Sequence, residues 1–378
     1  MIVKQQKEFV LKKQARVFFP NLDGLRFFAF FSVFLAHSFY SENKAILSNP
    51  IHQQIKQWNI LGIYGVNFFF VLSGFLITYL LLAEEDKFKK IHIPAFYLRR
   101  IFRIWPLYYA IVFIGFVLFP LGKQLVGESP ELDGNIWYYI FFINNYDTPP
   151  GTAILGVLWS IAIEEQFYLF WPLLLGLLFR KKRLHLFTTI IAISFIWRYL
   201  GNNGYTDTLS CISDMAVGGL GAYLAFYNNE LIKKIEELPK QYIVLIYITG
   251  FILIFSKGEW GTLSQFTRAV QRLVFSVFFL FIILEQNYAR HSPVKTSSLS
   301  FPTQWGRYTY GLYMLHFPVI YMTGKLVRGL VGDDSLFHVI FTETIVALGM
   351  SMFVAYISFH YFESYFLKLK ERFSFVKR

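Results

Sequence analysis

Leu22-Asp-Gly-Leu-Arg26-Phe-Phe-Ala-Phe-Phe-Ser-Val-Phe-Leu-Ala-His37 is an apolar run interrupted by Arg26 and His37, which lipid does not tolerate without cause. At about 100° and about 1.5 Å per residue, the steps from Arg26 to His37 make three turns plus roughly 20° and about 16 Å of rise. The two side chains therefore share one face of a predicted helix, with Arg26 near one membrane boundary and His37 near mid-depth. Lys4, Lys7, Lys12, Lys13 and Arg16 precede the run, and no small-residue cleavage site follows it. It reads as a retained first span rather than a removed signal peptide.

The rest of the chain has the same character. Of its 378 residues, 55% are hydrophobic and 20% aromatic, and the mean hydropathy of +0.44 exceeds what a soluble domain hides from water. The apolar stretches are long and continuous, so helices rather than a barrel satisfy the backbone in lipid. We expect an all-α integral membrane protein with ten transmembrane helices at roughly 22–41, 61–82, 101–121, 155–179, 184–200, 209–227, 241–256, 269–286, 308–324 and 338–359. The run Ile136-Trp-Tyr-Tyr-Ile-Phe-Phe-Ile143 is too short for a core that needs about twenty residues and is placed as an additional short outer-loop helix.

The charges agree with that placement. The basic N-terminus, Lys87 to Arg103, Arg180 to Arg183, Arg290 to Arg307 and Lys368 to Arg378 then all fall on one side, the cytoplasmic side by the positive-inside rule. This predicts a multi-pass protein of the cytoplasmic (inner) membrane, in contact with membrane lipids, with both termini cytoplasmic. Residues 1–20 form a basic N-terminal segment, 21–366 one transmembrane domain and 367–378 a basic tail. The net charge of +12, from 36 Lys and Arg against 24 Asp and Glu, is thereby explained without a nucleic-acid partner. The single cysteine, Cys211, excludes an internal disulfide framework and a thiolate cluster, and no metal site is expected.

Four further clusters accompany Arg26 and His37. In Phe96-Tyr-Leu-Arg99-Arg100-Ile-Phe-Arg103-Ile-Trp-Pro106, Arg100 and Arg103 stand three apart on one helical side, with Arg99 turned aside. Their planar forks suit phosphate, although the cluster also serves as a positive-inside anchor. In Trp159-Ser160-Ile-Ala-Ile-Glu164-Glu165-Gln166-Phe-Tyr168, the adjacent carboxyls diverge by about 100°, so at most one faces a given partner. Acids in an apolar span cost about 2.5 to 3.5 kcal/mol, so at least one meets a cation or lines a wet cavity. Gly65, Asn67, Ser73 and Gly74 of the second span suit close helix packing, with Asn67 a possible polar exception. His316 lies in the ninth span within Tyr310-Gly-Leu-Tyr313-Met-Leu-His316-Phe-Pro318. Asp23 can pair with Arg26, and a buried His37 can simply be satisfied by a neighbour. A neutral imidazole can instead take a proton from an attacking alcohol or carry an acyl group itself.

Taken in order, the Leu-Asp-Gly-Leu-Arg26 opening with His37, Phe69-Phe-Val-Leu-Ser-Gly-Phe-Leu76, Arg99-Arg-x-x-Arg103-Ile-x-Pro106, Trp159-Ser-x-x-x-Glu164-Glu-Gln-Phe-Tyr168 and Tyr310-Gly-x-Tyr313-x-x-His316-Phe-Pro318 resemble the membrane acyltransferase-3 family, over residues 19 to about 366. The resemblance implies an enzyme, an acyltransferase for groups other than aminoacyl groups. It further implies an acyl-coenzyme A or similar cytosolic donor and, as acceptor, a hydroxyl on a cell-surface or lipid-linked carbohydrate. Acetyl is the first expectation for the acyl group, and acyl-coenzyme A is a co-substrate rather than a permanently bound cofactor. By position, His37 is the catalytic candidate, with Glu164 and Glu165 counted beside it, while Arg26, Arg100 and Arg103 bind the donor. Asn67, Ser73, Ser160, Tyr168 and His316 are further candidates to line the cavity. The resemblance also implies an Arg a few residues before Asp214, where this chain has none. Some relatives carry a fused extracytoplasmic esterase-like domain, of which we expect no counterpart after the last span. The competing expectations are a transporter of acyl or glycan carriers without covalent chemistry, and a membrane scaffold that leaves Arg26, His37 and the glutamates without work.

Overall fold

Where glycine removes the side chain between two helices, their backbones close to contact, and such contacts set the rotation of this bundle. In the computed structural model, which describes residues 19–41, 43–125, 127, 129, 134–147, 153–201, 204–256, 264–332 and 335–374, the principal helices are α1 (Asn21–His37), α2 (Ile60–Phe88), α3 (Ile93–Phe113), α4 (Trp159–Leu173), α5 (Arg183–Tyr199), α6 (Thr208–Tyr227), α7 (Lys240–Phe255), α8 (Gln265–Tyr288), α9 (Thr309–Val331), α10 (Glu343–Ile357) and α11 (Ser364–Glu371). Gly74 of α2 faces the Met215 backbone of α6, and Gly218 of α6 faces the Val71 carbonyl of α2. A Cβ at either position would strike main chain. Gly65 brings α2 against the Ala29 carbonyl of α1 in the same way. Trp171 donates from Nε1 to Thr78 Oγ1 at 2.9 Å and ties α4 to α2 one turn beyond Gly74.

Among the described residues the structure is helical without strands, and a helix occupies every stretch where a span was expected. Ten crossings are nevertheless more than length and composition support. Among the described residues, six helices are long and apolar enough to cross a membrane: Pro50–Phe88, Ile93–Leu125, Ile154–Leu178, Thr208–Tyr227, Gln265–Tyr288 and His338–Glu371. Asn229–Glu236 and Lys240–Phe255 form a further apolar unit bent by 93°. Helices α1 and α5 have 17 residues each, about 26 Å of rise against a hydrocarbon core of about 30 Å. Helix α9 carries His316, Lys325 and Arg328 along its length. The expected short helix between α3 and α4 is present as Ile136–Ile140. The hydroxyls of Tyr108 and Tyr109 donate to the Tyr139 and Ile140 carbonyls, each at 2.9 Å, and hold it against α3.

Two local features position the charged residues. Helix α3 begins at Ile93, earlier than expected, because Pro94 suits the first turn, and the Glu84 carboxylate accepts from the His92 N–H at 2.8 Å. Arg99, Arg100 and Arg103 are therefore helical residues with fixed directions. At the start of α1, Asn21 Nδ2 donates to the Gln286 carbonyl at 2.7 Å, Asn21 Oδ1 accepts from the Ser297 N–H at 2.9 Å, and the Thr296 hydroxyl donates to the Asn21 carbonyl at 2.6 Å. These bonds hold the start of α1, and with it the position of Arg26.

Candidate active site

A cavity of about 440 Å³ lies among α1, α2, α3, α4, α9 and α11. Its lining follows α2 from Glu84 to Val66, about 27 Å of helix rise, so it is long rather than round. Five cations, Arg26, Arg99, Arg100, Arg103 and Lys370, line it with three carboxylates, Glu84, Glu164 and Glu371. The excess is positive. Arg99 is engaged, with Nη2 donating to Glu84 Oε2 at 2.7 Å and Nη1 to the Phe373 carbonyl at 2.8 Å. Arg26 pairs with Asp23 on its own helix while still lining the cavity. Arg100 lies over the rings of Phe96 and Tyr168, 5.8 Å from each centroid. Among the described residues neither Arg100 nor Arg103 has a carboxylate within 4.0 Å, so both can meet an anion without giving up an ion pair.

The two adjacent glutamates separate as their helical spacing requires. Glu164 lines the cavity and accepts from Ser73 Oγ at 2.6 Å, and Tyr168 Oη lies 2.7 Å from the same Ser73 oxygen. Glu165 turns away to accept from Trp105 Nε1 at 2.8 Å and is not among the lining residues. Farther along, Ser160 Oγ and Tyr313 Oη lie 2.7 Å apart, and both line the cavity.

His37 does not itself line this cavity. At the last residue of α1 its Nδ1 lies 3.1 Å from Nε2 of His316, which is fully buried on α9. His316 Nδ1 donates to the Tyr313 carbonyl at 2.7 Å. Tyr313 thus links the cavity to a pair of imidazoles, packed by Phe317 at 4.9 Å from the His37 ring and Phe30 at 5.7 Å from the His316 ring. Arg26 is thus in the cavity, while His37 stands outside its lining and connects to it through His316 and Tyr313.

Of the sequence candidates, the structure brings Arg26, Arg100, Arg103, Ser73, Glu164, Tyr168 and Ser160 into one cavity. It pairs His37 with His316 beside that cavity and leaves Glu165 and Asn67 out of the lining. Asn67 Oδ1 instead accepts from Arg272 Nη2 at 3.3 Å. Arg272 donates to Asp214 at 2.8 and 2.9 Å, and Ser276 donates to the same carboxylate at 2.8 Å. Arg198, buried nearby, donates to the Ser210 carbonyl at 2.6 Å and to Ser213 Oγ at 2.8 Å. The arginine expected just before Asp214 is thus supplied by α8, with a second arginine close by on α5. Arg99, Tyr313 and the tail residues Lys370, Glu371 and Ser374 were not among the sequence candidates for the cavity. For Tyr313 a signal existed, since it stands one turn before His316 on the same helical side.

A family model described as an acyltransferase domain matches residues 19–360. Among curated proteins, the peptidoglycan O-acetyltransferase OatA of Listeria monocytogenes is 26% identical, with 93% of this chain and 56% of that protein aligned. The putative peptidoglycan O-acetyltransferase YrhL of Bacillus subtilis is 26% identical over 93% and 55% of the two chains. The O-acetyltransferase OatA of Staphylococcus aureus is 28% identical over 82% and 52%. The chain spans about half the length of these curated relatives. No solved structure matches it.

Proposed function

The chain belongs to the acyltransferase domain family, and from that membership we propose that it is a membrane O-acyltransferase moving an acyl group, acetyl first, from cytosolic acyl-coenzyme A to a hydroxyl of a cell-surface or lipid-linked carbohydrate. The single observation that carries this reading is the convergence of Arg26, Arg100 and Arg103 on one elongated cavity whose far part is walled by Tyr313, directly beside the His37–His316 pair. Peptidoglycan, named in two of the relatives, is the acceptor to test first.

In this reading the chain crosses the membrane ten times, with α1 and α5 completed by flanking residues and the arginines on the cytoplasmic side. The donor's phosphates dock on the guanidiniums, and its arm extends along α2 with the thioester leading. Movement of the Tyr313 ring opens the way to His37. The acceptor oxygen attacks the thioester carbonyl, and His37 takes its proton. A C–O bond forms as the C–S bond breaks, and the proton passes to the departing thiolate. Such general-base assistance is worth about 10² to 10⁴ in rate.

The test is thiol release from acetyl-coenzyme A by the purified protein in nanodiscs, with label followed into peptidoglycan fragments. His37→Ala is expected to abolish transfer with expression intact. A protein that binds coenzyme A yet releases no thiol with any carbohydrate acceptor would be a carrier or transporter instead.

A further inference from the structure

The partners of His316 assign the hydrogens of both imidazoles. The Tyr313 carbonyl only accepts, so His316 Nδ1, 2.7 Å away, carries a hydrogen. A neutral imidazole has one such hydrogen, which leaves His316 Nε2 as a lone pair. That lone pair faces His37 Nδ1 at 3.1 Å, so His37 holds its own hydrogen on Nδ1 and keeps its lone pair on Nε2.

We propose that His316 is a positioning residue that fixes His37 in the tautomer whose Nε2 receives the acceptor's proton, an inference that rests on His37 being the base. The arrangement serves both halves of a turnover. When Nε2 of His37 gains a proton, its Nδ1–H still points at the His316 lone pair, and a hydrogen bond from a charged donor is stronger than one between neutral groups. A neutral ring here takes the orienting place that a carboxylate occupies in a Ser-His-Asp triad. Two features hold His316 itself. Its Nδ1 bond runs to its own helix, one turn back, and the Phe30 ring packs edge-to-face against it with centroids 5.7 Å apart.

The tautomer can be read without any transfer assay. In protein labelled with ¹⁵N-histidine, the His37 ring signals are identified by their loss in His37→Gln. We expect a protonated Nδ1 and an unprotonated Nε2 in the wild type, and a mixture of both tautomers in His316→Leu. A wild-type His37 with its hydrogen on Nε2, or a tautomer ratio unchanged in His316→Leu, overturns the proposal whatever the enzyme does.

Kinetics supply the second arm. His316→Leu is expected to lower kcat by about 100-fold or more with the donor KM unchanged. His316→Gln, whose side-chain carbonyl can accept from His37 Nδ1–H, is expected to recover most of that loss. Equal losses in the two variants would contradict a role through hydrogen bonding. The expected tautomer together with full transfer by His37→Ala would instead sink the reading of His37 as base.

Discussion

Replacing Arg103 by alanine tests the proposed docking of the donor in the cavity. Its guanidinium lines the cavity, and among the described residues it has no ion pair that its removal would break. The loss should therefore appear in ligand affinity and not in folding. Arg99 lacks that property, because its removal would strand Glu84, and Arg26 would leave Asp23 behind. A charge-assisted hydrogen bond to a phosphate oxygen contributes about 1.5 to 3 kcal/mol. At about 1.4 kcal/mol per decade, Arg103→Ala should weaken coenzyme A binding by about 10- to 150-fold. Arg103→Lys keeps the charge but loses the planar fork, so an intermediate loss is expected. The assay is calorimetric titration of coenzyme A into nanodisc-embedded protein, repeated over a salt series and accompanied by thermal denaturation. Affinity within a few-fold of wild type, in a variant of unchanged melting temperature, would show that no phosphate docks at Arg103.

Asp214→Asn leaves the Arg272 guanidinium in a buried site without its carboxylate, and we expect a loss of about 3 to 5 kcal/mol, read as a lowered melting temperature; an unchanged value would contradict the ion pair. Glu164→Gln removes a carboxylate from the cavity, and Glu165→Gln alters one held by Trp105 outside it. Thiol-release rates should fall at least tenfold more for the first than for the second, within the range of general acid–base effects, and equal losses would erase the distinction. Gly218→Val puts side-chain atoms against the Val71 carbonyl and forces α2 from α6, at a cost of about 1 to 3 kcal/mol or more. Its monodisperse yield in detergent should drop sharply while Gly349→Ala, where the space is open, matches wild type.

Helical character, membrane class and the alignment of Arg100 with Arg103 depend on neighbours a few positions apart, and bonds along the chain enforce those relations in any fold. They could be read directly. So could the divergence of Glu164 and Glu165, but not which of the two enters the cavity. That depended on Trp105 of α3 capturing Glu165 and Ser73 of α2 meeting Glu164. The number of crossings is not fixed by hydropathy alone, because helices of 17 residues such as α1 and α5 are shorter than the hydrocarbon core and depend on flanking residues to cross it.

The meeting of His37 with His316, the supply of Asp214's arginine from α8, and the turning of Asn67 from the cavity to Arg272 join residues hundreds or tens of positions apart. Each depends on how far one helix is rotated and slid against another. Backbone contacts at Gly65, Gly74 and Gly218 set that rotation together with the packing of every facing side chain. Periodicity along a single helix carries the direction of each side chain about its own axis, and the partner it meets emerges only when the helices are assembled.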